Sequence, residues 1–107
     1  MTEFRITAGF IPLTDSLLLV AACEKGFAAA EGVDLTLVRE ISWANIRDRV
    51  AVGQFDVAHM LAPMPIAANF GLSPIDVPVI AVMGLGLGGN AITVSAALWE
   101  DMAAGGA

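Results

Sequence analysis

The chain has 107 residues, a length that suits one small domain. Its formal net charge of −6 argues against nucleic acid and anionic membrane surfaces as partners, because neither is attracted to an acidic protein, whereas local donors still allow a small anion to bind. Hydrophobic residues make up 57% of the chain, which favours an α/β layer covered on both faces, although surface built to meet other segments would show the same share. With no apolar run near ~18 residues, no membrane insertion is predicted.

The first half of the chain predicts strands and helices in alternation. In chain order these are a strand over residues 4–10, a helix over 16–25, a short helical turn over 26–32, a strand over 33–38 and a helix over 42–52. Asp15 and Ser42 are the predicted N-caps of the two longer helices.

The second half is predicted to continue the alternation. It contains a strand over residues 55–59, a helix over 63–70, strands over 79–83 and 91–95, and a helix from residue 96. Repeated strand-helix-strand order implies parallel pairing through right-handed crossovers. The predicted fold class is therefore α/β, a mostly parallel sheet with flanking helices.

Three strand-to-helix junctions form the predicted ligand-facing edge, because open parallel sheets bind ligands at the carboxyl ends of their strands. They lie at residues 12–16, 41–45 and 60–65; Thr14 lies in the first and Leu61 in the third. Each junction would present helix N–H groups suited to a small oxyanion. Ordinary helix capping explains the same pattern, and from the residues alone it is the better explanation.

Trp43 is the residue we single out at this edge. In the first turn of its predicted helix, its indole N–H would be a hydrogen-bond donor on an otherwise apolar wall. A core tryptophan that shares a helix face with Ile46 is the alternative, and the residues alone do not separate the two.

Four segments follow a recognisable pattern in order and spacing, between about residue 5 and about residue 95. They are GFIPLTDS at residues 9–16, EKGFAAAEGVDLTLVRE at 24–40, SWANIRDRVAVGQFDVAHMLAPMPIA at 42–67 and GNAITVS at 89–95. Together they resemble the solute-binding proteins of nitrate, nitrite and bicarbonate uptake systems and their cytoplasmic nitrate-sensing relatives, within the type 2 periplasmic-binding-protein superfamily.

The resemblance implies binding without catalysis. Family members have two lobes and are much longer, so residues 1–107 would be the front part of lobe one, with the second lobe absent. The implied ligand is a small inorganic oxyanion, nitrate or nitrite before bicarbonate, and no cofactor is implied. The implied protein partners are an ABC permease and ATPase or, for a sensor, an antiterminator-type regulator.

The resemblance also bears on single residues. Trp43 matches a tryptophan that contributes to the family's anion site, and Asn90 stands where nitrate-binding relatives often carry a side-chain amide. Local chemistry alone would make Asn90 a turn residue. With Thr14 and Leu61, these two residues form the predicted ligand-binding set. His59 has no Cys or His nearby, so we predict a hydrogen-bonded structural role for it rather than a metal-binding one.

Other chemistries are disfavoured. Residues 84–89 satisfy G-x-G-x-x-G, but the segment after them is β-like rather than helical, so no dinucleotide site is predicted. Cys23 is the only cysteine and is predicted to lie buried in a helix rather than to carry a lipid. One cysteine cannot supply the cysteine-rich iron motif of the related branch that makes a thiamine pyrimidine precursor, so no enzyme is predicted.

Two alternatives concern the setting of the protein. The start MTEFRITAGF enters the first predicted strand without a signal peptide, which indicates a cytoplasmic protein, as the sensors are; a start further upstream would instead indicate a periplasmic transport component. The second alternative is a truncated, non-functional remnant, or a half-lobe that forms homo-oligomers through its exposed apolar surface.

Overall fold

A three-stranded parallel sheet is the centre of the fold, which the computed structural model describes for residues 3–74, 77–88 and 91–106. The strands are β1 (Phe4–Phe10), β2 (Val33–Arg39) and β3 (Val57–Ala58), in the order β2-β1-β3. All pairs are parallel, as crossovers through helices require. The prediction of an α/β fold with a parallel sheet and flanking helices is confirmed.

Helices follow each strand. A 3-10 turn at Thr14–Ser16, α1 (Leu17–Glu24) and α2 (Phe27–Ala30) follow β1, α3 (Trp43–Ala51) follows β2, and α4 (Pro63–Asn69) follows β3. A further helix, α5 (Ala96–Ala104), lies later in the chain. Helices α1 and α2 pack against β2, and α3 packs against β1 and β3. Cys23 is partly buried in α1, and its Sγ lies 3.4 Å from the carbonyl oxygen of Leu35 in β2.

The core is small and lies between β1, α3 and the segment before β3. Its buried apolar residues are Ala8, Ile46, Phe55 and Ala68. A Cβ atom on Gly9 would overlap the Phe55 ring, so only glycine lets this ring pack against β1 here.

The prediction that Asp15 caps α1 is wrong. Helical turns already begin at Thr14, so Asp15 lies inside the 3-10 turn, and the residue before α1 is Ser16. The hydroxyl of Ser16 donates to the carbonyl oxygen of Leu13 at 2.6 Å and caps no helix N–H. Asp15 is consequently available for a contact across the sheet edge.

The strands predicted over residues 79–83 and 91–95 are absent from the described residues, and the strand predicted over 55–59 is reduced to β3. A strand needs a hydrogen-bonded neighbour, and two-residue β3 offers a very short edge. Asn69 instead holds Val79, donating to its carbonyl oxygen at 2.7 Å and accepting from its N–H at 3.3 Å.

The later part of the chain packs little against the sheet. Every residue of α5 is exposed, and Ile80, Val82 and Leu87 are among the exposed large apolar side chains. The radius of gyration is 18.0 Å, whereas a compact chain of this size has about 13 Å. No helix within the described ranges combines the length and apolar character that crossing a bilayer requires.

Candidate functional site

A groove of about 230 Å³ lies between α3 and α4, beside the carboxyl ends of the strands. It is lined by Trp43, Ala44 and Arg47 from α3, by Leu61, Met64 and Ala67, and by Leu72, Ser73 and Pro74. Two of the four predicted site residues, Trp43 and Leu61, therefore meet at one place. The position agrees with the rule that parallel sheets present ligand sites at this edge.

Trp43 reaches the groove because α3 begins at this residue. Ser42 is extended, and its Oγ accepts the N–H of Asn45 at 3.1 Å, which confirms the predicted N-cap. Trp43 is half-buried at the start of the capped helix. Helix N–H groups and the positive end of the helix dipole therefore point to the same edge as the indole.

A buried carboxylate holds α3 in this orientation. Glu40 follows β2, and its side chain accepts hydrogen bonds from Arg49 and, at 3.2 Å, from the amide of Asn45. The hydrogen bond from Arg49 is the main reason that the pKa of Glu40 is lowered, and burial opposes it. The guanidinium of Arg49 also lies 4.4 Å from the centre of the Phe55 ring. Through Asn45 in its first turn and Arg49 in its last, α3 is therefore attached to Glu40 and to the core.

Arg47 is a groove residue that the sequence prediction missed. It lies one helical turn after Trp43, and this i, i+4 spacing on α3 was the signal that would have found it. Its Nε lies 2.8 Å from Oδ1 of Asp48, and this hydrogen bond raises the pKa of Arg47 above the usual arginine range. Arg47 thus brings to the groove a guanidinium that is paired with the Asp48 carboxylate.

Thr14 lies in a different place from Trp43 and Leu61. It is exposed and lines a second, more open groove of about 290 Å³, together with Phe10, Pro12, Leu13, Ser16, Leu17 and Val20. Asn90 lies outside the described residues. The structure thus brings two of the predicted set together, places Thr14 in the neighbouring groove, and leaves the roles of all four as predictions.

His59 lies beneath Trp43 at the end of β3 and is 1% exposed. Its Nδ1 accepts the backbone N–H of Ile11 at 3.3 Å, so the predicted hydrogen bond is present at one ring nitrogen. The His59 and Trp43 rings meet edge to face, with centroids 5.1 Å apart and an interplanar angle of 71°. In the described part of the chain, no cluster of three or more His, Cys, Asp or Glu side chains forms a metal site.

The sequence profile of the NMT1-like family matches residues 2–107, nearly the whole chain. This chain belongs to the NMT1-like family. The nitrate import ATP-binding protein NrtC of Synechocystis is 39% identical over 97 residues, covering 89% of this chain and 14% of NrtC. The bicarbonate-binding protein CmpA of Synechococcus elongatus is 33% identical over 96 residues, covering 84% of this chain and 21% of CmpA.

A solved structure shows the same fold. The periplasmic nitrate-binding protein NrtA from Synechocystis aligns with a TM-score of 0.66 and 35% identity, covering 71% of this chain and 22% of NrtA. The resemblance to nitrate and bicarbonate solute-binding proteins is thereby confirmed. CmpA and NrtA are named as binding proteins, which supports solute binding rather than catalysis. The chain spans less than a quarter of the length of each of these relatives.

Proposed function

We propose that this chain is the front part of lobe one of a two-lobed solute-binding protein that holds a small planar oxyanion, nitrate or nitrite before bicarbonate. The observation that carries the proposal is the groove in which Trp43, at the first turn of α3, stands one turn from the cationic Arg47. An indole N–H and a guanidinium donate hydrogen bonds and accept none, which suits an oxyanion that bears only acceptors.

The groove would form one wall of the site. It is open, and we expect a second lobe to close it from the other side. Binding between lobes buries the ligand and supplies donors from both sides. The 107-residue chain alone should therefore bind nitrate weakly or not detectably, and sub-micromolar nitrate binding by this chain would contradict the half-site proposal.

A chimera tests the proposed ligand. In it, residues 2–107 replace the corresponding segment of the Synechocystis nitrate-binding protein, which aligns with 71% of this chain. Calorimetry with nitrate, nitrite, bicarbonate and an alkanesulfonate, titrated in turn, should give heat with nitrate or nitrite first. Heat from the alkanesulfonate alone would refute the proposal, and the unaltered Synechocystis protein serves as the control.

Transport is the setting that we propose over sensing. The names of the relatives support it, since NrtC is a nitrate import ATP-binding protein and NrtA is periplasmic. A partner permease and ATPase would then receive the loaded protein outside the cytoplasmic membrane. Cell fractionation of the native protein decides the matter: recovery in the cytoplasm together with an RNA-binding antiterminator would instead support a sensor.

A self-associating half-lobe is the second candidate. The exposed apolar side chains of the later segment, including Ile80, Val82, Leu87 and Trp99, favour it. Light scattering coupled to size exclusion separates the candidates. A concentration-dependent oligomer of the isolated chain, combined with a chimera that binds no anion, would favour this second candidate over solute binding.

A further inference from the structure

The buried ring of His59 joins three segments that meet at the candidate groove. It belongs to the end of β3, accepts a hydrogen bond from the segment after β1 at Ile11, and meets the indole of Trp43 on α3. His59 itself does not line the groove, although it contacts a residue that does.

Both ring nitrogens of His59 are constrained. Because Nδ1 accepts the N–H of Ile11, it carries no proton, and in the neutral ring the proton lies on Nε2. Nε2 is 3.0 Å from Oδ1 of Asp15, the distance of a hydrogen bond. The N–H direction is too bent for a regular hydrogen bond, and Nε2 has no other acceptor among the described residues. The contact with Asp15 is therefore mainly electrostatic.

The hydrogen bond from Ile11 constrains the rotation of the imidazole as well as its place. The Ile11 N–H defines which edge faces β1, and the Asp15 carboxylate attracts the opposite N–H edge. An edge-to-face pair is directional, since its electrostatic energy depends on which edge meets which face. A ring fixed in rotation can consequently fix the tilt of its aromatic neighbour, whereas a freely rotating one cannot.

We propose that His59 is a positioning residue of the site: held by Ile11 and Asp15, it sets the orientation of the Trp43 indole towards the groove. The inference rests on the proposed function in one respect: anion binding is the purpose that the indole orientation would serve. The orientation itself is a property of the unliganded chain and is measured without any anion.

The test follows the indole N–H of Trp43 by NMR in the 107-residue chain. The other tryptophan is removed by Trp99→Phe, so that one indole signal remains. His59→Asn retains an oxygen that can accept the Ile11 N–H but removes the ring. We expect the fold to persist while the heteronuclear NOE of the indole falls and its near-ultraviolet circular dichroism is largely lost.

A matched control separates positioning from stability. Cys23→Ala trims a partly buried side chain of α1 that packs on β2 and does not line the groove, and it should lower the melting temperature with the indole signals unchanged. Unchanged indole signals in a folded His59→Asn chain would overturn the proposal, as would equal losses in Cys23→Ala.

Asp15→Asn provides an independent test that leaves the ring in place. It removes the charge facing Nε2, and a smaller loss of indole order is expected. If His59→Asn does not fold, this variant decides, and an unchanged indole then refutes the proposal. Failure of the chimera to bind nitrate would refute the proposed function and leave these measurements unaffected.

Discussion

Substitution of Trp43 by phenylalanine separates a binding role from a core role. Trp43 is half-buried, lines the groove with Arg47 and Leu61, and contacts the His59 ring edge to face. Phenylalanine keeps most of the apolar ring area but removes the indole N–H donor. The change therefore alters hydrogen-bonding capacity far more than packing.

The two roles predict opposite results. A core role predicts a loss of about 1 kcal/mol in the free energy of unfolding with anion affinity intact, because the ring is smaller and its contact with His59 is altered. A ligand role predicts loss of a hydrogen bond to a charged partner, which is worth roughly 1.5–3 kcal/mol. That loss corresponds to an affinity about ten- to a hundredfold weaker.

Both quantities are measured on the same protein. Anion affinity of the Trp43→Phe chimera is obtained by calorimetry, and its melting temperature by circular dichroism. The matched control is Trp99→Phe on α5, where the indole is 64% exposed, and neither quantity should change. A lowered melting temperature with unchanged affinity would return Trp43 to the core and refute its assignment as a ligand residue.

Three other substitutions test the packing and charges around the site. Gly9→Ala should destabilise the chain by about 1–3 kcal/mol in urea unfolding, because the new Cβ would overlap the Phe55 ring. Arg47→Gln in the chimera should weaken nitrate binding on the order of tenfold by calorimetry, since it removes the positive charge of the groove. Glu40→Gln should remove part of the acid sensitivity of folding, because Arg49 lowers the pKa of Glu40 in the folded chain. The stabilising contribution of this carboxylate is complete above its usual pKa of 4.5 and is lost as the pH falls through the lowered folded-state pKa.

Each of these substitutions has a matched control. A Cβ atom on Gly84 would have no atom within 4 Å, so Gly84→Ala should leave the free energy of unfolding nearly unchanged. A loss of stability as large as that of Gly9→Ala would argue against overlap with the Phe55 ring as the cause. Arg5→Gln removes an exposed charge at the amino end of β1, and a loss of affinity as large as that of Arg47→Gln would indicate a general charge effect. Glu24→Gln, which removes an exposed carboxylate of α1, is the control for Glu40→Gln, and identical acid-unfolding curves for the wild type and Glu40→Gln would refute the role of Glu40.

The sequence by itself determined the order of the elements up to α4, because local patterns specify them. Alternating apolar residues predicted β1 and β2, and Ser42 predicted the start of α3, since both signals depend on neighbours along the chain. The motif set likewise identified the family. The strand-to-helix junctions predicted that Trp43 and Leu61 lie at the carboxyl edge of the sheet, where both line the groove.

Tertiary structure decided what depends on partners distant in sequence. Local rules make Asp15 an N-cap, but helical turns begin before it, at Thr14. Its carboxylate instead faces His59, which lies 44 residues further along the chain, because the ends of the strands come together. Residues 79–83 have a strand's composition, but no strand pairs with them in the described part of the chain, so they form none. Capping and periodicity are local properties, whereas sheet pairing and the rotation of a buried ring are set only when separate segments meet.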